Sequence, residues 1–194
     1  SNYSITDLDI PHNPNRSGRN LMIMAGNMRS FHGVGECIEA VSRIREHYPD
    51  ATLTLVGRVR EDLNDRIGGS GRDEFITTTG FLPYRAMYER LNKGVASLLV
   101  FQPTYYNISI GLPNKLFDYM LLGLPIIASD LPEIRNVVAR ADCGILVDPG
   151  SVSEIVDAIA YLFDFPEEAQ KMGANGRQAV LERYNWSAME ADLL

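Results

Sequence analysis

Lys115 and Asp118 stand three residues apart, just after Gly111-Leu112-Pro113-Asn114, a glycine followed by a proline suited to a helix start. The free N–H groups of a first helical turn, with the helix dipole behind them, attract an anion such as a diphosphate. Lys115 would add charge there, and a carboxylate one turn later can accept two hydrogen bonds from a diol such as ribose. Taken alone, the same two residues also read as an exposed i,i+3 ion pair worth only a few tenths of a kcal/mol. Three other places carry usable groups. Gly26 and Gly33 bound a loop containing Asn27, Arg29 and His32, while Gly57-Arg58 and Phe81-Leu82 follow further along the chain.

Other chemistries fit poorly. The formal charge of -7 argues against a broad nucleic-acid footprint, since that affinity comes from Lys and Arg neutralising phosphates. Any anion site must be local, and nucleic acid is not an expected partner. Two cysteines, Cys37 and Cys143, are too few for a disulfide framework and too distant for a zinc pair, so both are expected as buried thiols. His12, His32 and His47 are scattered. Gly33-Val34-Gly35 begins a dinucleotide fingerprint, but Ile38 stands at its third glycine position. Gly68, Gly69 and Gly71 follow a helical pattern rather than a strand, which points to a surface loop. Asp7-Leu8-Asp9 has metal-transferase spacing but precedes every strand and reads as a solvated tail. No metal and no cofactor are expected.

The elements that must position these groups follow from periodicity. Strands are expected over residues 21–25, 51–56, 74–78, 95–101, 125–129 and 144–147. Helices are expected from 34 to 44, then over 61–67, 84–91, 114–122, 133–140, 152–163 and 167–184. Strands that are apolar almost throughout, alternating with helices, predict a doubly wound, three-layer α/β fold with about six parallel strands. Ligands in such folds bind beyond the carboxyl ends of the strands, where all four candidate segments fall. No apolar run reaches the length that spans a bilayer.

The run Asp118-Tyr119-Met120-Leu121-Leu122-Gly123-Leu124-Pro125-Ile126-Ile127-Ala128 resembles the donor-site motif of GT-B fold, retaining glycosyltransferases, the group 1 or family 4-like class. In that family two glutamates with seven residues between them mark the site; here Asp118 takes the second place, which holds ribose, and Ile110 takes the first, which contacts the sugar. Gly111-Leu112-Pro113-Asn114-Lys115 is similar to a polysaccharide-biosynthesis subgroup. The loop from Gly26 to Gly33 resembles the family's first glycine loop, with Asn27 and His32 where cations usually stand; Arg29 or Lys115 could replace them, as could His32 when protonated. Leu55-Val56-Gly57-Arg58 and Thr79-Gly80-Phe81-Leu82-Pro83 resemble the second strand's turn and the loop against the nucleobase. Tyr184-Asn185-Trp186-Ser187 resembles the return toward an N-terminal domain.

The resemblance implies a Rossmann-like domain over residues 21–184, preceded by a leader or linker over 1–20 and followed at 185–194 by the start of that return. It implies the donor-binding half of a retaining, hexosyltransferase-type enzyme that moves a sugar from a nucleoside diphosphate sugar to a glycan or lipid-linked acceptor. The expected partners are the nucleotide sugar and a missing N-terminal acceptor domain, without which the fragment is expected to be inactive. Two unpaired cysteines and a start with neither a basic nor an apolar leader pattern make a cytoplasmic setting the expectation, and the subgroup resemblance implies peripheral inner-membrane association through the missing domain. The alternative is a catalytically degenerate binding or interaction module, motivated by Ile110, Asn27 and His32. A non-hydrolysing epimerase of the same fold is a third reading.

Overall fold

Along the inner strands, neighbouring residues serve opposite helix layers. In β1 (Asn20–Met28), Leu21 and Ile23 join one buried cluster and Met22 the other; in β4 (Ala96–Leu99), Leu98 faces the first and Leu99 the second. Side chains alternate across a strand, so a sheet apolar at every position needs cover on both faces. Helices α1 (Val34–Ile44) and α7 (Val152–Asp164) supply one layer. Helices α3 (Tyr84–Leu91), α5 (Asn114–Leu121), α6 (Pro132–Ala141) and the C-terminal part of α8 (Pro166–Glu182) supply the other.

The computed structural model describes residues 13–68 and 74–184. The expectations placed on Asp7, Asp9, His12, Gly69, Gly71, Trp186 and residues 185–194 lie outside that set. Within it, β1, β2 (Thr52–Val59), β3 (Ile76–Thr78), β4, β5 (Ile126–Ser129) and β6 (Gly144–Val147) form one parallel sheet in the order β3-β2-β1-β4-β5-β6. The chain winds outward in both directions from β1, so a crevice opens at the carboxyl ends of β1 and β4.

Several boundaries differ from the sequence reading. β1 continues through Gly26 to Met28, because a register shift against β2 between Met24 and Asn27 absorbs the irregularity. The 61–67 segment divides into a 3-10 turn (Glu61–Leu63) and the single-turn α2 (Asn64–Ile67), and an unexpected turn, α4 (Tyr106–Ser109), precedes α5. α3 and α5 start where expected, with Pro83 and Pro113 as the cap residues just outside them. His47 falls in the turn beyond α1. Cys37 and Cys143 are buried free thiols, with burial pushing Cys143 up to about 12.

The leader is not merely polar chain. Arg16 is buried and donates five hydrogen bonds, to the carbonyls of Asn92, Gly94, Leu122 and Gly123 and to the Asn92 amide oxygen. Asn92 and Leu122 cap the C-terminal ends of α3 and α5, where carbonyls lack helical partners and the dipole favours a cation. Burial lowers the guanidinium pKa to about 10, still well above neutrality.

Candidate functional site at the β1–β4 crevice

Beyond β1 a 3-10 turn (Ser30–His32) leads to Gly33, which is left-handed at φ 67°. A Cβ there would lie 1.9 Å from the Val100 carbonyl oxygen, so glycine lets this loop close onto the end of β4. The contact brings His32 beside Phe101, with ring centres 5.2 Å apart, and Gln102 donates its backbone N–H to the Phe31 carbonyl.

His32 is held in one role. Its Nδ1 accepts the Arg29 backbone N–H at 2.9 Å, so the neutral ring carries its proton on Nε2. Nε2 faces the Lys115 ammonium at 3.2 Å. Burial, then Lys115, lowers the His32 pKa to about 4. The expectation that His32 could serve as a protonated cation is therefore corrected: near pH 7 the ring is neutral, because desolvation and a neighbouring ammonium both oppose its charge.

Lys115 sits in the first turn of α5, with Nζ over the Phe101 ring at 5.2 Å from its centre. Burial brings its pKa down to about 8, against an opposing pull from Asp118. The exposed Lys115–Asp118 ion pair does not occur. Both side chains are mostly buried, and Lys115 meets His32 instead. A largely buried cation whose hydrogen-bonding neighbour is itself a donor has only the Asp118 carboxylate, one turn away, to offset its desolvation, and that offset is partial.

Asp118 lies one turn further on. Its Oδ1 accepts the Tyr88 hydroxyl at 2.6 Å, and Tyr88 can then only accept from Tyr84, 3.1 Å away. Burial raises the Asp118 pKa, while the Tyr88 hydrogen bond and Lys115 hold it down. Burial and the neighbouring carboxylate push Tyr88 far upward, so it remains a donor. Leu116 and Met120, on the other face of α5, are fully buried, and Phe117 packs against Tyr184.

The Gly57–Arg58 and Phe81–Leu82 segments meet across an isolated antiparallel bridge between Gly57 and Gly80, both at positive φ. Thr79 Oγ1 ties them, accepting the Gly57 N–H at 3.2 Å and donating to the Gly80 carbonyl. Phe81 is 66% exposed with the Arg58 guanidinium 5.4 Å from its ring centre, and Leu82 is half-buried. Asn27, Arg29 and Asn114 are exposed, as is Gly26, around which the structure leaves open space. Gly111 lies against the Asn107 carbonyl, too close for a Cβ, and Leu112 borders the start of α5.

Tyr84, Tyr88 and Phe101 were missed by sequence reasoning. Tyr84 and Tyr88 share a face of α3 by their spacing, a signal available in the sequence, but that the face turns toward Asp118 follows only from helix packing.

The strand order and layers define a Rossmann-like, three-layer α/β domain. The family profile described as Glycosyl transferases group 1 matches residues 6–179, and the chain belongs to that family. It is 26% identical over 172 residues to alpha-D-kanosaminyltransferase of Streptomyces kanamyceticus, covering 88% of this chain and 43% of that protein. The C-terminal domain of a glycosyl transferase group 1 family protein (LpcC) from Francisella tularensis superposes with a TM-score of 0.71 at 21% identity, over 93% of this chain and 91% of that one. Anabaena Alr3699/HepE, solved in complex with UDP-glucose, gives a TM-score of 0.76 at 15% identity, over 91% and 47%. The chain spans less than half the length of the curated relatives it matches. No helix among the described residues is long and apolar enough to cross a membrane.

Proposed function

We propose that this domain binds the donor of a glycosyl transfer, a nucleoside diphosphate sugar, in the β1–β4 crevice. The observation that carries the reading is Lys115: a largely buried cation at a helix start, pressed against the proton-bearing edge of His32, with a carboxylate one turn behind it. A diphosphate would supply the missing negative charge. The first-turn amides of α5 and the loop from Gly26 to Gly33 would hold it, with exposed Arg29 free to swing in. Asp118, oriented by Tyr88, would accept the ribose hydroxyls through the oxygen that Tyr88 leaves open. The base would lie near Phe81 and Leu82, with Arg58 at its side.

In this reading the protein's cations stabilise charge growing on the departing diphosphate, a contribution worth several kcal/mol in comparable sites, and neither metal nor cofactor is required. The transfer retains configuration and delivers the sugar to a glycan or lipid-linked acceptor. A second half of the polypeptide holds that acceptor on the cytoplasmic side, with peripheral membrane contact through that half. The domain alone is then inactive in transfer, and measurable sugar transfer by this chain would overturn that part. The incomplete coverage of the relatives supports the two-half reading, and the UDP-glucose complex of a structural neighbour supports the donor class.

Calorimetry with UDP and GDP tests the binding reading. Micromolar to millimolar binding by the wild type, weakened in Asp118→Ala, is expected. No heat from either nucleotide would favour the interaction-module alternative, which the exposed Ile110 and neutral His32 also motivate.

A further inference from the structure

A second cavity adjoins the anion-seeking groups without sharing their chemistry. It measures about 170 Å³ and is walled mainly by Phe101, Ile108, Leu112, Pro113 and Ile134, with Asn107 its one polar side chain and Ile110 half exposed one residue before Gly111. An apolar cavity of about 150 Å³ accepts a guest as large as benzene, so this space exceeds a packing defect. Two features fix its relation to the crevice. Phe101 contributes to the wall while its ring also carries Lys115 Nζ and His32. Gly111, Leu112 and Pro113 form both the cavity's edge and the approach to the first turn of α5.

A group in the cavity is thus about one aromatic ring away from the diphosphate position. The part of a donor lying next to its diphosphate is the sugar. Sugar hydroxyls placed against the five apolar walls would lose water with only Asn107 to replace it, whereas a methyl or acyl methyl would bury its surface there. Resting on the donor-binding reading above, we infer that the transferred sugar carries an apolar substituent, a deoxy methyl or an N-acyl group, and that this cavity receives it.

The test is calorimetry on the protein with donors matched in base and differing in the substituent: UDP-N-acetylglucosamine against UDP-glucose, GDP-6-deoxymannose against GDP-mannose, and dTDP-6-deoxyglucose against dTDP-glucose, each beside the free nucleoside diphosphate. For at least one base that binds, the substituted donor is expected to bind about tenfold tighter than its hydroxylated counterpart, the discrimination typical of one small group in an apolar pocket. Ile108→Thr should shrink that ratio at least threefold. Leu112→Ser, at a more exposed wall position, should do the same if the first variant is unstable. Equal affinities, or preference for the hydroxylated donor at every base that binds, overturn the inference while leaving the donor site standing. Failure of every free nucleoside diphosphate to bind overturns both.

Discussion

Two buried cations occupy opposite ends of the sheet, and their surroundings differ. At the amino ends of the strands Arg16 spends its donors on the carbonyls that close α3 and α5. At the carboxyl ends Lys115 faces another donor. A satisfied buried charge ties elements together; an unsatisfied one lowers the stability of the empty fold and raises the affinity for an anion. The first belongs to architecture, the second to the proposed donor site.

Breaking the amino-end clamp should have the largest effect on the fold. Arg16→Ala strands four carbonyls and is expected to cost about 3–5 kcal/mol in urea unfolding, with nucleoside diphosphate affinity unchanged wherever the variant is folded. A comparable loss of affinity would erase the distinction between the two ends. Asp118→Ala should weaken UDP or GDP binding about 10- to 100-fold, the worth of one hydrogen bond to a charged group. It also leaves the buried Tyr88 hydroxyl without its acceptor, so a lower unfolding midpoint should accompany the change.

Lys115→Met sharpens the contrast, because its two effects should have opposite signs. The Lys115 pKa is lowered from 10.5 to about 8, so the folded state disfavours the charged form. That penalty is absent above pH 10.5, grows as pH falls and is complete below about 8, reaching at most about 3 kcal/mol. The variant should therefore unfold at a higher temperature at pH 7 while binding nucleoside diphosphate about tenfold more weakly. A destabilised variant would contradict the uncompensated charge.

The same group sets the pH response. Diphosphate affinity measured by calorimetry should fall from about pH 8 upward, by up to about tenfold per unit, as Lys115 loses its proton. Between pH 5.5 and 7.5 protonation of His32 should contribute no rise, since its pKa lies near 4. The terminal phosphate of the nucleotide titrates at about pH 6 on its own, so only a step near pH 6.5 that disappears in His32→Asn would show His32 acting as a cation after all. The smallest effect is expected from Tyr84→Phe, which removes a hydroxyl bonded to Tyr88 without touching Asp118 and should change nucleotide affinity by no more than about threefold.

The fold was readable because its signals are local. Strands such as residues 95–101 and 125–129 are apolar on both faces, α1 has its period from Val34 to Ile44, and those patterns alternate in only a few compact ways. The glycines and the Lys115–Asp118 spacing marked segments that the structure gathers at the carboxyl ends of the strands, for the same reason. What escaped depends on which elements meet. Tyr88 looked like one apolar residue of α3, Phe101 like the end of a strand, and Arg16 like part of a polar leader; each acquires its role from a partner 30 or more positions away.

The sequence by itself determined the order of strands and helices, the loops at their carboxyl ends, and the residue types gathered there, because period and chain stereochemistry act over a few residues. Tertiary structure alone decided the charge states: that His32 is neutral, that Lys115 is a strained cation, and that Asp118 is held by a tyrosine rather than paired with its neighbour. Protonation responds to burial and to groups brought close in space, and neither is written in the spacing of residues along the chain.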